Sequence, residues 1–167
     1  VPGRSTAEPT VIASDDSTDE RTAITGNTWT DSHDAIFVGY GETVLIEDNE
    51  IDGSEAVAIM VWSAREGSVI RGNTIRDGQT ALLLTDDTGV RISDNVVSGN
   101  QIGLNISGRG ATVAGNEIRD NTVGVIVANV LPGTSPTLED NTIEGNVRGL
   151  SISAGASPIL RRNTVCG

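Results

Sequence analysis

The sequence has no lysine, one histidine, one cysteine and only 2% aromatic residues, and these shortages exclude several classes of protein. All eleven basic residues are arginines, against 23 acidic residues, so the formal net charge is −12. A chain this acidic offers no basic surface to nucleic acid or anionic lipid. No run of 18 apolar residues occurs, so we expect no membrane insertion. The single cysteine, Cys166, excludes an internal disulfide.

What the sequence does contain is an asparagine that recurs through nearly the whole chain. Successive members are 22, 24, 22, 21, 25 and 22 residues apart. They are Asn27, Asn49, Asn73, Asn95, Asn116, Asn141 and Asn163. An apolar residue stands three positions before and two positions after each one, as Ile92 and Val97 do around Asn95. A fixed period of this length predicts a solenoid in which each repeat forms one coil.

Each repeat contains three short segments in which apolar and polar residues alternate. In the repeat around Asn95 they lie at 90–93, 96–98 and 104–106. Alternation indicates strands, and no window has the 3.6-residue stripe of a helix. Since the turns are too short for helical crossovers, each strand should pair in parallel with the same strand one coil later, about 4.8 Å away. We therefore predict an all-β parallel β-helix of about seven coils, with three short strands per coil.

The recurring asparagine is predicted to mark the bend between the second and third strands of each coil. Asparagine tolerates the left-handed backbone conformation that such a bend requires, so we expect the asparagines themselves to adopt it. Their side chains should also hydrogen-bond to one another along the stack, as identical side chains do in cross-β structures. The preceding residue never places two aspartates in adjacent coils, which we interpret as avoidance of like charges. These residues are Gly26, Asp48, Gly72, Asp94, Gly115, Asp140 and Arg162.

The repeated segment, as in Asp140–Ile152, resembles the right-handed parallel β-helix superfamily, which includes pectate lyases and many bacterial surface proteins. The resemblance covers residues 22–165 and implies a right-handed coil. It also implies an extracellular or cell-surface location. Similar repeats occur as non-catalytic domains of surface and sensor proteins, so we expect an extracytoplasmic binding or scaffolding role. The fold alone does not fix the function.

Residues 1–21 break the repeat and are interpreted as an N-terminal tail, partial coil or cap, whereas residues 22–167 form the β-helix domain. Residues 10–13 could supply one strand of an incomplete first coil. The acidic stretch at 15–20 is interpreted as solvated, with calcium binding as an alternative; no other cofactor or metal is predicted. Because the chain stops in the middle of a coil, we expect it to be a fragment of a longer one.

The strongest catalytic candidates are Asp31, His33 and Asp34, just before the first strand of a coil. They resemble the DPHE motif of alginate epimerases at two of four positions. His33 could act as a general base near neutral pH. However, the GHG, RIK and WIDH motifs of related pectin-degrading enzymes are absent, as is lysine. We favour a solvated turn and a non-catalytic protein. The alternative is a carbohydrate-active enzyme, either a polysaccharide lyase or a uronate epimerase.

A more informative feature is an apolar stripe on the outside of the first strands. Most of their outward central residues are large and apolar, unlike the outward residues of the third strands. The outward residues are Phe37, Met60, Leu83, Asn105, Ile126 and Ser151. Tyr40 and Trp62 lie at the edge of the same face. We expect Phe37, Tyr40, Met60, Trp62 and Leu83 to contact a protein partner, another copy of the chain or a glycan.

Overall fold

A computed structural model describes residues 10–12, 21–39, 41, 43–128, 134–153 and 155–167. These residues form 21 strands arranged as three seven-stranded sheets. No helix is found among them, and hence none that could span a membrane. The acidic stretch at 15–20 and Tyr40 lie outside the described residues.

The strands are numbered in chain order, and every third strand belongs to the same sheet. Sheet A contains β1 (Thr10–Ile12), β4 (Ile36–Val38), β7 (Val57–Trp62), β10 (Thr80–Thr88), β13 (Ile102–Arg109), β16 (Val123–Val127) and β19 (Arg148–Ile152). Sheet B contains β2 (Thr22–Thr25), β5 (Val44–Glu47), β8 (Val69–Arg71), β11 (Arg91–Ser93), β14 (Thr112–Ala114), β17 (Thr137–Glu139) and β20 (Ile159–Arg161). Sheet C contains β3 (Thr28–Thr30), β6 (Glu50–Asp52), β9 (Thr74–Arg76), β12 (Val96–Ser98), β15 (Glu117–Arg119), β18 (Thr142–Glu144) and β21 (Thr164–Cys166).

All strand pairs are parallel and join each coil to the next, so the predicted coiled architecture is confirmed. The inward residues of all three sheets form one continuous apolar core. In β10, Leu82 and Leu84 are fully buried, and in β12 so is Val97. Burying one such side chain contributes roughly 1.5–3 kcal/mol. Because no coil covers its own row, this stabilisation arises only when coils stack.

The asparagine ladder is confirmed, as Asn95 illustrates. Its side-chain Nδ2 donates to Asn116 Oδ1 at 2.9 Å and to the Ile70 carbonyl at 3.0 Å. Its own Oδ1 accepts from the backbone nitrogen and from Nδ2 of Asn73, both at 2.9 Å. The Asn95 side chain is 1% exposed. The ladder therefore satisfies buried polar groups that the bend would otherwise leave unpaired.

The prediction that the asparagines themselves adopt the left-handed conformation is wrong. The residue before each one adopts it instead, as in Asp48 (φ 54°), Gly72 (φ 65°) and Asp94 (φ 57°). The backbone nitrogen and the side chain of each asparagine both point along the stack toward the next one, as in Asn73. The bend is therefore completed one residue earlier, by residue types that tolerate positive φ.

Aspartate and glycine alternate along the stack at two left-handed corners, and the two corners are in opposite phase. The corner between sheets B and C runs Gly26, Asp48, Gly72, Asp94, Gly115 and Asp140. The corner between sheets C and A runs Asp31, Gly53, Asp77, Gly99, Asp120 and Gly145. A Cβ placed on Gly53 would lie 2.7 Å from Asp31 Oδ1, and one on Gly115 would lie 2.8 Å from Asp94 Oδ1. In the five places where a glycine follows an aspartate, the aspartate carboxylate occupies space that a side chain in the next coil would need, which adds a steric reason to the predicted charge separation.

Opposite charges pair across the coils, although not always as the register alone suggests. Arg71 contacts Glu47 at 2.5 Å, as expected from their register. Arg119 lies beside Glu144 in the sheet, but its guanidinium pairs with Glu117 at 2.6 Å within its own coil. Register fixes which Cα atoms are neighbours, whereas a flexible guanidinium selects among several carboxylates within reach.

Arg76 pairs as its register suggests, whereas Arg161 and Arg162 of the last coil do not. Asp52 pairs with Arg76 at 3.0 Å, in agreement with their register. Glu139 lies beside Arg161 in the sheet, but the guanidinium within reach of its carboxylate is that of Arg162, at 3.6 Å. Arg162 also donates to both carboxylate oxygens of Asp140 at 2.7 and 2.8 Å. These hydrogen bonds hold the pKa of Asp140 below its ordinary value.

Candidate binding face on sheet A

The outer face of sheet A carries the apolar stripe predicted from the sequence. Its members are direct register partners from β4 to β19, and each is half-buried. In β10 the outward Leu83 is flanked by Leu82 and Leu84, which are both fully buried. The stripe therefore lies outside the core, about 4.8 Å per step along the axis.

Trp62 lies at the end of β7, on the same face as Met60 and two residues further along the strand. It is paired with Thr85 of β10, and 39% of its surface is exposed. Among the described residues, the other large apolar side chains that are this exposed lie from Val147 onward. Trp62 therefore adds an exposed apolar side chain beside the stripe. Tyr40, the other aromatic residue predicted for this edge, is not among the described residues.

A second row on this face was missed by the sequence analysis. It contains Val57, Thr80, Ile102, Val123 and Arg148, which are register partners in succession. The residue that follows in β7 and β10, Ala58 or Ala81, is buried in the core, so alternation places this row on the outer side. Its three apolar members are half-buried, whereas Thr80 is buried. The row could have been recognised in the sequence, because three coils have an apolar residue at this position. The candidate binding face is therefore two rows wide rather than one.

The corner before this face contains a second, shorter ladder that the sequence analysis also missed. Asn100, Asn121 and Asn146 repeat the geometry of the main ladder: Asn100 Nδ2 donates to Asn121 Oδ1 at 3.1 Å, and Asn121 Nδ2 donates to Asn146 Oδ1 at 3.0 Å. Nearer the N-terminus, Ser32 and Ser54 join through their hydroxyls at 3.2 Å. This ladder could have been recognised in the sequence from its spacings of 21 and 25 residues, which also occur in the main ladder. This ladder fixes the backbone on which the face is built.

The structure brings two of the three catalytic candidates together. His33 Nδ1 lies 3.0 Å from Asp34 Oδ2, at the N-terminal edge of the face. The other carboxylate oxygen of Asp34 accepts from the Val57 backbone nitrogen at 2.9 Å, so this carboxylate also secures the start of β7. The His33 side chain is 69% exposed.

Asp31 has a different role from its two neighbours. It adopts the left-handed conformation at the corner (φ 52°), and its carboxylate lies over Gly53. Its backbone nitrogen donates to the Asp52 carbonyl at 2.8 Å. The geometry therefore explains Asp31 as a corner residue. Across the described part of the chain, no three His, Cys, Asp or Glu side chains converge in a way that could hold a metal ion.

A family model described as the right handed beta helix region matches residues 11–165. No curated protein and no solved structure gives a significant match. The match covers most of the 167 residues and agrees with the three-sheet coil and its asparagine ladder. The chain belongs to the right-handed β-helix family.

Proposed function

We propose that this chain is a non-catalytic, extracytoplasmic β-helix domain, sensor-like or scaffolding in role, that binds a protein partner through the outer face of sheet A. The observation that carries the proposal is the pair of mostly apolar rows on this face, whose apolar members are half-buried rather than fully buried in the free chain. The extracytoplasmic location rests on the family resemblance alone.

The face has the composition of a protein contact surface. Met60, Leu83 and Ile126 supply apolar area, and Phe37 and Trp62 supply aromatic rings. Aromatic residues and methionine are enriched in the buried cores of interfaces. Covering apolar surface stabilises a complex by roughly 25 cal/mol per Å² before the costs of association.

The backbone of this face is already satisfied, which limits how a partner can bind. Inner strands such as β10 pair with a neighbour on each side. A partner cannot add a strand there, so recognition depends on side chains. A glycan site would call for aromatic platforms flanked by several polar groups, whereas aliphatic residues predominate in these rows. This balance favours a protein surface over a glycan.

The test replaces Met60 and Leu83 together by glutamate. Photo-crosslinking from each position in the native context identifies the partner, and calorimetry then measures its affinity. We expect the double variant to weaken binding at least about 100-fold, because central apolar anchors contribute roughly 2 kcal/mol or more each. The fold should persist, because both side chains point outward.

The matched control is Thr112→Glu with Thr137→Glu. These two residues are also adjacent in register and half-buried, but on the outer face of sheet B. They add the same charge without touching the apolar rows, so affinity should not change. Equal losses in both double variants would contradict the proposal, as would a free face that binds only a glycan.

The carbohydrate-active alternative is favoured by one observation, the hydrogen bond between His33 and Asp34 at 3.0 Å. A carboxylate that orients an imidazole is a common arrangement for a general base. We expect no unsaturated uronate to be released from alginate or pectate, with or without calcium, as followed by ultraviolet absorbance. Release that is abolished by His33→Ala would favour the enzyme over the binding domain.

A further inference from the structure

A shallow groove runs along the rod, that is, along the stack of coils, between the two rows of the sheet A face. Two consecutive residues point into the core between the rows, as Ala58 and Ile59 do between Val57 and Met60. The same pair of buried positions occurs in β10, β13 and β16. The strip between the rows therefore carries no outward side chain. Three residues separate the rows, which corresponds to roughly 10 Å along a strand.

The packing of the coils requires the groove but does not require its apolar walls. The first residue of each inward pair is small, because a Cβ placed on Gly103 would lie 2.5 Å from the Gly124 carbonyl oxygen. A Cβ placed on Gly124 would lie 2.6 Å from the carbonyl oxygen of Gly149. The wall residues point away from the core, so their chemistry is free to serve a ligand.

An α-helix is the element that suits a groove of this kind. A helix with its side chains is roughly 10–12 Å across, close to the distance between the rows. Inner strands such as β10 already pair on both sides, so a partner's backbone finds no hydrogen bonds there. An extended segment would bury unpaired backbone groups against the apolar walls, whereas a helix satisfies these groups internally.

The spacing of the coils also matches the turns of a helix that lies along the rod. From Met60 to Ile126 there are three steps, or about 14 Å at 4.8 Å per coil. Three helical turns measure about 16 Å, so the two repeats differ by roughly 2 Å over this distance. Apolar side chains at positions i, i+4, i+7 and i+11 of a helix would thus each meet one coil.

The groove is bordered on one side by an acidic corner. Asp31, Glu55 and Asp77 are exposed there, and Arg76, which precedes Asp77, instead pairs with carboxylates of sheet C at 2.9 and 3.0 Å. The corner segments between sheets C and A contain five carboxylates and no arginine, and they lie wholly within the described residues: 31–34, 53–56, 77–79, 99–101, 120–122 and 145–147.

This charge selects among the helices that could occupy the groove. A docked helix would place one flank beside the corner carboxylates, where lysine or arginine would be attracted and glutamate or aspartate repelled. Four of the five carboxylates lie in the first three corner segments, so the attraction is strongest beside Val57 and Thr80. The same carboxylates disfavour an anionic membrane surface as the occupant.

From the width of the groove, its satisfied backbone and its acidic border, we infer that the sheet A face binds an amphipathic α-helix of a protein partner. The apolar side of the helix enters the groove, and a basic flank faces the corner between sheets C and A. The inference rests on the proposed function, because it specifies the kind of protein segment that the same face binds.

Three synthetic peptides of about 14 residues, or roughly four helical turns, test the inference. The first has leucines along one helical face and lysines on one flank, the second has glutamates in place of the lysines, and the third is the basic peptide with a central proline. We expect the basic peptide to bind saturably in calorimetry and to gain helical signal in far-ultraviolet circular dichroism. The other two should bind at least about tenfold more weakly, through repulsion and through the broken helix.

Paired substitutions at the two corners locate the basic flank. Asp31→Asn with Asp77→Asn removes two charges beside the groove, and Asp48→Asn with Asp94→Asn removes two at the opposite edge of sheet C. All four aspartates are exposed and adopt the left-handed conformation, which asparagine tolerates. The first pair should weaken the basic peptide about fivefold at low ionic strength and less at high salt, because exposed ion pairs are weak and screened. The second pair should leave its affinity nearly unchanged.

Failure of the inference can be distinguished from failure of the proposed function. If Met60→Glu with Leu83→Glu releases the crosslinked partner, but the basic and glutamate peptides bind equally or gain no helical signal, the face binds another kind of protein segment and the inference is overturned. Equal losses from the two aspartate pairs would also overturn it. If the partner binds Met60→Glu with Leu83→Glu as it binds the parent chain, the proposed function itself fails. Self-association that this double variant abolishes in sedimentation velocity would assign the groove to a second copy.

Discussion

Sheets A and C contain the same number of strands in the same parallel arrangement, yet their outer faces differ in chemistry. The outward rows of sheet C are mostly polar or charged, and Arg76 contacts both Glu50 and Asp52 there at 2.9 and 3.0 Å. The outward rows of sheet A are mostly apolar, with Met60 and Leu83 adjacent in register. The inward rows of both sheets are apolar, and in the inner coils they are buried.

This difference indicates that the fold constrains which residues face into each coil but does not constrain the residues that face outward. A solenoid requires inward apolar rows, ladder residues at the bends and corners that tolerate positive φ. None of these requirements distinguishes the outer face of sheet A from that of sheet C. The apolar outer rows of sheet A therefore call for an explanation other than folding, and contact with a partner supplies one.

The sharpest way to separate inside from outside is a pair of neighbouring leucines on β10. Leu82 is fully buried and Leu83 is half-buried on the outer face. We expect Leu82→Ala to lower the free energy of unfolding by about 2–5 kcal/mol, through lost burial and the cavity left behind. Leu83→Ala should cost less than about 1 kcal/mol. Urea unfolding followed by circular dichroism measures both, and equal losses would contradict the assignment of the two faces.

The asparagine ladder at the corner between sheets B and C joins each coil to the next. Disrupting this ladder should therefore destabilise the whole rod. Asn95→Leu removes the partners of Asn73 and of the Ile70 carbonyl, all of them buried. We expect a loss of about 3 kcal/mol in unfolding free energy, because each unpaired buried group costs roughly 1–3 kcal/mol. Asn27→Leu is the control, since Asn27 is exposed at the end of the ladder. If the two variants are destabilised equally, the ladder does not act through buried hydrogen bonds.

We expect the smallest effect on stability from charged pairs at the surface, such as Asp140 with Arg162. The folded-state pKa of Asp140 is lowered by its hydrogen bonds from Arg162. The stabilisation is therefore present above the unfolded-state pKa, and is lost as the pH falls below about 4 and through the folded-state value. Over that pH range, the Asp140→Asn variant should lose less unfolding free energy than the parent chain. The difference between the two chains should shrink at high salt, which screens the charges. Acid titrations of both chains in low and high salt measure this effect.

Most of the fold could be predicted from the sequence. The period of the repeat determines which strands pair and in which register, and the alternation of apolar and polar residues determines which side chains face the core. Asn95, Leu104 and their equivalents repeat often enough that one coil predicts the next. The pairing of Glu47 with Arg71 followed directly from this register. The stripe through Met60 and Leu83 was predictable for the same reason.

The remainder depends on geometry that a linear pattern does not contain. Sequence alone does not show which of two adjacent residues completes a bend, so the left-handed position was placed on Asn95 rather than Asp94. The choice of carboxylate by Arg119 depends on side-chain rotamers. The second ladder begins only at Asn100, with serines nearer the N-terminus, so its pattern covers only half the chain.

The opposite phase of aspartate and glycine at the two corners has a consequence for the length of the rod. Its unit of translation is two coils, roughly 9.6 Å, rather than one coil of about 4.8 Å. Deleting residues 72–93 would remove one coil and place Asp94 directly on Asp48, with glycine stacked on glycine at the other corner. Deleting residues 72–114 would remove two coils and place Gly115 on Asp48, as Gly72 lies now. A rod built on this rule shortens or lengthens without conflict only in pairs of coils.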